Sequence, residues 1–374
     1  MNPRPLTVIQ VLPALGAGGV ERGTVEVAAE LVRCGHRAVV VSAGGRLVRE
    51  LQAAGAEHVT LDVGAKTPLT LRHIPRLRRL FGGADIVHAR SRLPAWISHL
   101  ALRGMAPASR PVFITSVHGP YTVNRYSRIM TRGDRVIAVS GFIRDYILTN
   151  YPGTDPARIT VIPRGVDPGR FPFGYRPPAA WLTGWRTEQS RLAGRFVLTL
   201  PARITRWKGQ EDFLQVVKML HEEGLDVHGL IVGGAAPRRR RFLRQLQESV
   251  AAAGLQDRIG FLGHRDDMRD ILSVSDVVFS LAREPEAFGR TTLEALSLGV
   301  PVIGYDHGGA GEVLGAIFPA GRVAPGDTAA AAARAAEFHR QRPVVPDKNP
   351  FTLQRMLDAT LSVYAEAAAG RAVT

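Results

Sequence analysis

A chain in which short runs of branched apolar residues alternate with helical stretches has few folds open to it. The strands must lie parallel, with helices covering both faces of the sheet. This sequence shows that alternation twice. In the first half, strands are expected near 7–12, 37–42, 58–62, 85–89, 112–117, 134–139 and 159–162. Residues 163–195 break the rhythm with five prolines and five glycines. It resumes with strands at 196–200, 227–232, 258–262, 276–281 and 300–305, between helices near 210–221, 238–253, 266–273 and from about 291. The 374 residues suit two domains of roughly 150–200 residues each. The expected class is α/β, with two Rossmann-like doubly wound parallel-sheet domains facing a cleft. Residues 1–172 form the first domain, 173–349 the second, and 350–374 a terminal helix crossing back to the first. Ligands of such sheets sit beyond the carboxyl ends of the strands.

Composition narrows the partners. A lone cysteine, Cys34, excludes an intrachain disulfide and fits a reducing, cytoplasmic compartment. The opening MNPRPLTVIQVLPALG is broken by Gln10 and Pro13, and no stretch approaches the roughly 18 uninterrupted apolar residues of a membrane span. Against 33 acidic residues stand 48 Lys and Arg, a formal charge of +15 that favours anionic partners. Arg238 to Arg241 make one basic cluster. In the other, residues 69–81, Leu71, Ile74, Leu77 and Phe81 recur at helical spacing among Arg72, Arg76, Arg78 and Arg79. That segment reads either as a peripheral contact with an anionic membrane or as a core-packed helix with a solvated basic face, and Pro75 interrupts its pattern. Nucleic acid is disfavoured as a partner, because neither cluster interleaves aromatic residues for base stacking.

The loop after the first strand, GAGGVERG at 16–23, has the look of a dinucleotide-binding turn, yet its third glycine position is Glu21 and no carboxylate ends the second strand to hold a ribose. A nicotinamide or flavin site is thereby disfavoured. Gly16, Gly18 and Gly19 still let the backbone come close to an anion or sugar at a helix N-terminus; the alternative is a tight turn for packing.

The densest chemical signal is EPEAFGRTTLEALSLG at 284–299, where Glu286 and Glu294 are separated by seven residues. A helix beginning with Thr291 as cap puts Glu286 in the loop and Glu294 in the first turn, and aims the amides of Gly289 to Thr292 at a ligand. Thr291 with Glu294 also matches an ordinary capping box. After strand 196–200, the sequence PARITRWKGQ sets Arg203 and Lys208 at the carboxyl end of the same sheet. Two cations, two carboxylates and a helix N-terminus on one edge suit an activated sugar carrying a diphosphate.

Taken in order along the chain, GAGGVERG at 16–23, VHG at 117–119, VIAVSGFIRDYI at 136–147, VIPRGVD at 161–167, RITRWKG at 203–209 and the paired-glutamate motif from Glu286 resemble the retaining glycosyltransferases of family 4, which have the GT-B fold. Within the family the chain looks most like bacterial envelope enzymes, including those of the lipopolysaccharide core. The resemblance implies that Arg203 and Lys208 bind the donor's diphosphate, Glu286 holds sugar hydroxyls and Glu294 the ribose. It also places His118 near the transferred sugar and Gly18 and Gly19 near phosphates and acceptor. His118 has the alternative of a strand-end histidine satisfied by backbone. Phe288, Gly289, Arg290 and Thr291 complete the assigned substrate-binding stretch. Arg164 departs from the asparagine that many members carry before GVD. The implied activity moves a sugar from a UDP- or GDP-sugar to a glycan or glycolipid hydroxyl, with no resident cofactor. No metal is expected, since the sequence has no Asp, any residue, Asp triplet and two cations meet the leaving group's charge. A sugar-nucleotide epimerase or a phosphorylase of the same fold is the rival reading.

Overall fold

The computed structural model of the chain describes residues 4–16 and 18–371. The first three residues, Ala17 of the glycine-rich loop and residues 372–374 of the terminal segment lie outside the described residues.

The chain divides into two compact units, one running to Pro163 and taking up Gln354 onward, the other Arg164–Leu353. The division thus falls before the proline-rich connection, not after residue 172. The cause is local: Val166 and Phe171 sit in the second unit's hydrophobic core. Asp167 closes the turn between them by accepting from the Gly169 amide at 2.8 Å, and Val166 bridges Thr352 in parallel.

The first unit is built on seven parallel strands: β1 (Thr7–Val11), β2 (Arg37–Ser42), β3 (Glu57–Thr60), β4 (Ile86–Ala89), β5 (Val112–Val117), β6 (Arg135–Ala138) and β7 (Ile159–Val161), in the order β3-β2-β1-β4-β5-β6-β7. Val8 of β1 faces both Ala38 and Ile86. The interior strands are mostly apolar because helices cover both faces, with Gln10, His88, Thr115 and Ser116 as buried polar residues among them. Ser140 of the VIAVSGFIRDYI motif is a helix cap, its hydroxyl accepting from the Ile143 amide at 3.1 Å. The terminal helix Leu353–Arg371 belongs from Gln354 to this unit. It is fastened by the buried Tyr364, whose hydroxyl lies 2.6 Å from His88 Nδ1, while His88 Nε2 lies 2.7 Å from the Ser116 hydroxyl. Burial pushes the Tyr364 hydroxyl's pKa up, so the group stays protonated there. In the basic segment, Pro75 stands in the first turn of a helix, Ile74–Phe81, which follows a 3-10 turn, Pro68–His73. Proline is tolerated there because that amide needs no intrahelical partner, so it begins the helix rather than interrupting it.

The second unit has six parallel strands: β8 (Phe196–Pro201), β9 (Val227–Val232), β10 (Ile259–Gly263), β11 (Val277–Ser280), β12 (Val302–Tyr305) and β13 (Arg322–Val323), in the order β10-β9-β8-β11-β12-β13. Four elements exceed the sequence expectation, among them helices Gly308–Ile317 and Thr328–Gln341, which follow the last expected strand. Two-residue β13 is too short to show periodicity. Helix Ala179–Glu188 lies inside the stretch read as irregular, where its Trp185 packs with Val197, Leu230, Val232 and Ile271.

Candidate functional site

In the second unit the strand order reverses between β8 and β11, and the loops following those two strands flank the position where a doubly wound sheet opens for a ligand. The loop after β8 carries Arg203 and Lys208, and the loop after β11 carries Glu286. The sheet therefore brings Lys208 to Glu286, with Arg203 on the same loop as Lys208.

The β8 loop first runs along the β9 loop, with the Ala202 amide donating to Val232 O at 2.9 Å and the Ile204 amide to Gly234 O at 3.1 Å. Arg203 is exposed. Its carbonyl accepts from Nε2 of the fully buried Gln210 at 2.9 Å. Arg206–Lys208 make one 3-10 turn. Gly209 follows at φ 76°, so close to β11's loop that a Cβ would overlap the Leu281 carbonyl. That approach aims Lys208 across the gap, where its Nζ hydrogen-bonds Glu286 Oε1. Both side chains are largely buried, at 18% and 15% exposure, so the pair is held in reduced dielectric. Lys208 Nζ also stands 4.4 Å from the Trp207 ring centroid.

The β11 loop is pinned from the other side by the loop after β12. The Gly309 amide donates to Glu286 O at 2.7 Å, and His307 Nε2 lies 2.7 Å from Ala282 O. Gly308, at φ 57°, leaves no room for a Cβ, which would come 2.7 Å from Glu286 O. None of these glycines was singled out in the sequence reading, although a glycine directly after Trp207 and Lys208 was visible there.

The helix that follows spans Arg290–Ser297, and its cap is Gly289, left-handed at φ 80° and ψ 53°, with no side-chain capping bond. The expected Thr291 cap is therefore corrected. Thr291 sits inside the helix, and Glu294 lies beyond the first turn. Glu294 is nearly buried and accepts from Arg290 Nε at 2.9 Å, one helical turn away. Gly289 takes the cap because only a residue without Cβ fits there: a Cβ would meet Ala310 Cα at 2.6 Å. Thr291→Ala should accordingly leave thermal stability within about 0.5 kcal/mol of wild type, against the roughly 1 kcal/mol of a lost cap; a melting curve decides. Phe288, also assigned to substrate, has its side chain in the core, edge-on to Phe351 with ring centroids 5.7 Å apart. Only its backbone borders the loop.

The remaining assigned residues belong to the first unit, whose order reverses between β1 and β4. Gly18 caps the helix Gly19–Arg33 in extended conformation, without a side-chain bond. Gly16 has open space around it, whereas Gly45, in the turn after the second strand, makes the close approach: at φ 144° its Cβ would overlap the Leu15 carbonyl. Half-buried His118 follows β5, with its amide donating to the Tyr121 hydroxyl at 3.3 Å. Among the described residues, no three His, Cys, Asp or Glu side chains gather as a metal-holding group.

Similarity to known proteins agrees with this arrangement. Residues 17–170 match "Glycosyltransferase Family 4" and residues 185–344 match "Glycosyl transferases group 1". A glycosyltransferase from Rickettsia africae ESF-5 of known crystal structure is 30% identical, with a TM-score of 0.84 over 97% of this chain and 99% of that one. The chain belongs to the family 4 glycosyltransferases of the GT-B fold. The lipopolysaccharide core biosynthesis mannosyltransferase LpsB of Rhizobium meliloti (strain 1021) is 32% identical over 191 residues, covering 50% of this chain and 49% of LpsB. This chain spans about half the length of the curated relatives it matches. Anabaena HepE, solved in complex with UDP-glucose, shares the fold at 18% identity, with a TM-score of 0.75 over 98% of this chain and 94% of that one.

Proposed function

We propose that the protein transfers a sugar from a nucleoside diphosphate sugar to a glycan or glycolipid hydroxyl, with retention at the anomeric carbon, in the synthesis of a bacterial envelope glycan of the lipopolysaccharide type. The observation that carries this reading is the Lys208 to Glu286 pair at the strand-order reversal, beside a helix N-terminus that no side chain caps. Without donor the two charges satisfy each other. A diphosphate draws Lys208 to itself, together with Arg203 and the amides after Gly289, and leaves the Glu286 carboxylate to accept from sugar hydroxyls. The same cations offset the charge that develops as the bond from the anomeric carbon to the diphosphate oxygen breaks and the acceptor oxygen takes its place. Glu294 holds the ribose, Gly18 and Gly19 lie near phosphates and acceptor, and His118 donates a hydrogen bond or shuttles a proton at the transferred sugar. The LpsB match supports the envelope role and the HepE complex a uridine donor.

A thermal-shift panel of UDP-glucose, GDP-mannose and their nucleotides tests the donor site: a ligand at about 100 times its dissociation constant adds roughly 2.7 kcal/mol. Transfer is expected to continue in EDTA, because cations of the chain serve the leaving group. Activity that vanished with chelator and returned with magnesium would sink the metal-free mechanism.

The membrane reading of residues 69–81 divides along the segment. Leu77 and Phe81 are fully buried, while Leu69 and Leu71 are 66% and 51% exposed beside the exposed Arg72 and Arg76. Apolar side chains presented within a basic face suit peripheral contact with anionic lipid. Among the described residues no helix is long and apolar enough to cross a membrane. The protein is expected to co-sediment with phosphatidylglycerol vesicles and not with phosphatidylcholine vesicles; equal recovery with both removes the proposal.

A further inference from the structure

Asp212 lies in the first turn of the helix Gln210–Glu222, four residues past Lys208, and is 5% exposed. A buried carboxylate is costly unless charged or polar donors surround it, and here the donors come from the loop after β11 and the end of β12. Arg283, in the loop after β11, sets its Nε 3.1 Å from each Asp212 oxygen and adds a hydrogen bond from Nη2 to Oδ1. Its Nη1 reaches Glu211 Oε2 at 3.1 Å. Tyr305, the last residue of β12, donates its hydroxyl to Asp212 Oδ2 at 2.8 Å. Burial and the neighbouring carboxylate raise the pKa of the Tyr305 hydroxyl, which keeps it a donor. One carboxylate thus ties together the helix after β8, the loop after β11 and the end of β12.

Each tie continues into the backbone around the Lys208 to Glu286 pair. The Arg283 amide donates to Trp207 O at 2.7 Å, directly beside Lys208. Tyr305 leads through Asp306 to His307, which reaches Ala282 O, and to Gly309, which holds Glu286 O. We propose that Asp212 is a positioning residue for the donor site: through Arg283 and Tyr305 it fixes the loop bearing Glu286 against the loop bearing Lys208. The inference rests on the proposed reading of those two residues as donor contacts. Its chemistry is that of a preorganised anion site, in which charged groups held before the ligand arrives bind it more tightly than mobile ones.

Inorganic pyrophosphate is the probe, titrated calorimetrically at fixed ionic strength into the full chain as wild type, Asp212→Asn and Tyr305→Phe, each with and without Lys208→Met. Hydrogen exchange of residues 281–289 is followed in the free proteins. Removing a carboxylate near an anion site strengthens binding on Coulombic grounds alone. Positioning has the opposite sign: Asp212→Asn should weaken pyrophosphate about tenfold. Tyr305→Phe, which changes no charge, should weaken it by a smaller factor. With Lys208→Met in place neither change should weaken it further, since both act through the same group. Exchange in 281–289 should quicken while that in β8 and β12 holds. Pyrophosphate bound by Asp212→Asn as tightly as by wild type, with exchange unaltered, overturns the proposal, and so do losses that simply multiply with Lys208→Met. If wild type binds pyrophosphate no better than Lys208→Met, the donor-site reading has failed, and the exchange of 281–289 alone decides whether Asp212 orders that loop.

Discussion

Glu286→Gln is expected to slow sugar transfer by about ten- to hundredfold, the equivalent of losing one hydrogen bond to a charged group worth roughly 1.5–3 kcal/mol in the transition state. Its cost in stability should be small. The carboxamide keeps the oxygen that faces Lys208, and the backbone bond from the Gly309 amide to Glu286 O is untouched. A melting shift of about 1 kcal/mol is the corresponding expectation, because the largely buried pair loses its charge-to-charge part but keeps a hydrogen bond from Lys208. Initial rates with the nucleotide sugar identified in the thermal-shift panel, set beside melting curves, give both quantities. A variant that melts much earlier yet turns over near the wild-type rate would show that Glu286 is a structural residue and end its assignment to the sugar.

Gly209→Ala should give the largest loss of stability among these substitutions. A left-handed backbone costs a residue with Cβ about 1–2 kcal/mol, and here the Cβ would also overlap the Leu281 carbonyl, a backbone group that cannot rotate away. A total near 3 kcal/mol corresponds to a drop of about 6–12 °C for a unit of this size. Gly153 is the natural control. It too is left-handed, at φ 88°, but has open space where the Cβ would go. Gly153→Ala should bear the conformational cost alone, about 2–8 °C. Gly209→Ala should also lose donor affinity, since the glycine's approach to Leu281 is what carries Lys208 to Glu286. Equal melting of the two variants would show that the contact with Leu281 does not constrain the loop.

How far the sequence reaches can be followed residue by residue. The central strands were legible because a parallel strand covered on both faces is an unbroken run of branched side chains, as in β2 and β8. The doubly wound class followed from their alternation with helices. The motif residues were legible as types, two cations after one strand and paired glutamates after another, and family resemblance added the chemistry. Where a local pattern competed with a tertiary contact, the contact won. Thr291 and Glu294 form a capping pattern, yet the helix begins one residue before Thr291, capped by Gly289. A glycine is needed there to pass Ala310, and Gly308 and Gly309 press against Glu286 and Phe288. Helix Ala179–Glu188 was hidden because the prolines and glycines around it outweighed its own short pattern.

Local composition and periodicity therefore determined which segments are strands and which residue types end them. The order β10-β9-β8-β11-β12-β13 was decided only by folding, and it brings Lys208 to Glu286 although they stand 78 positions apart in sequence. Asp212 shows the same division. In sequence it is one acid in a helix's first turn, where acids are common. Only the packing of three strands side by side gives it Arg283 and Tyr305 as partners, because strand pairing joins residues by register across the sheet and no periodicity along the chain encodes which strand will be the neighbour.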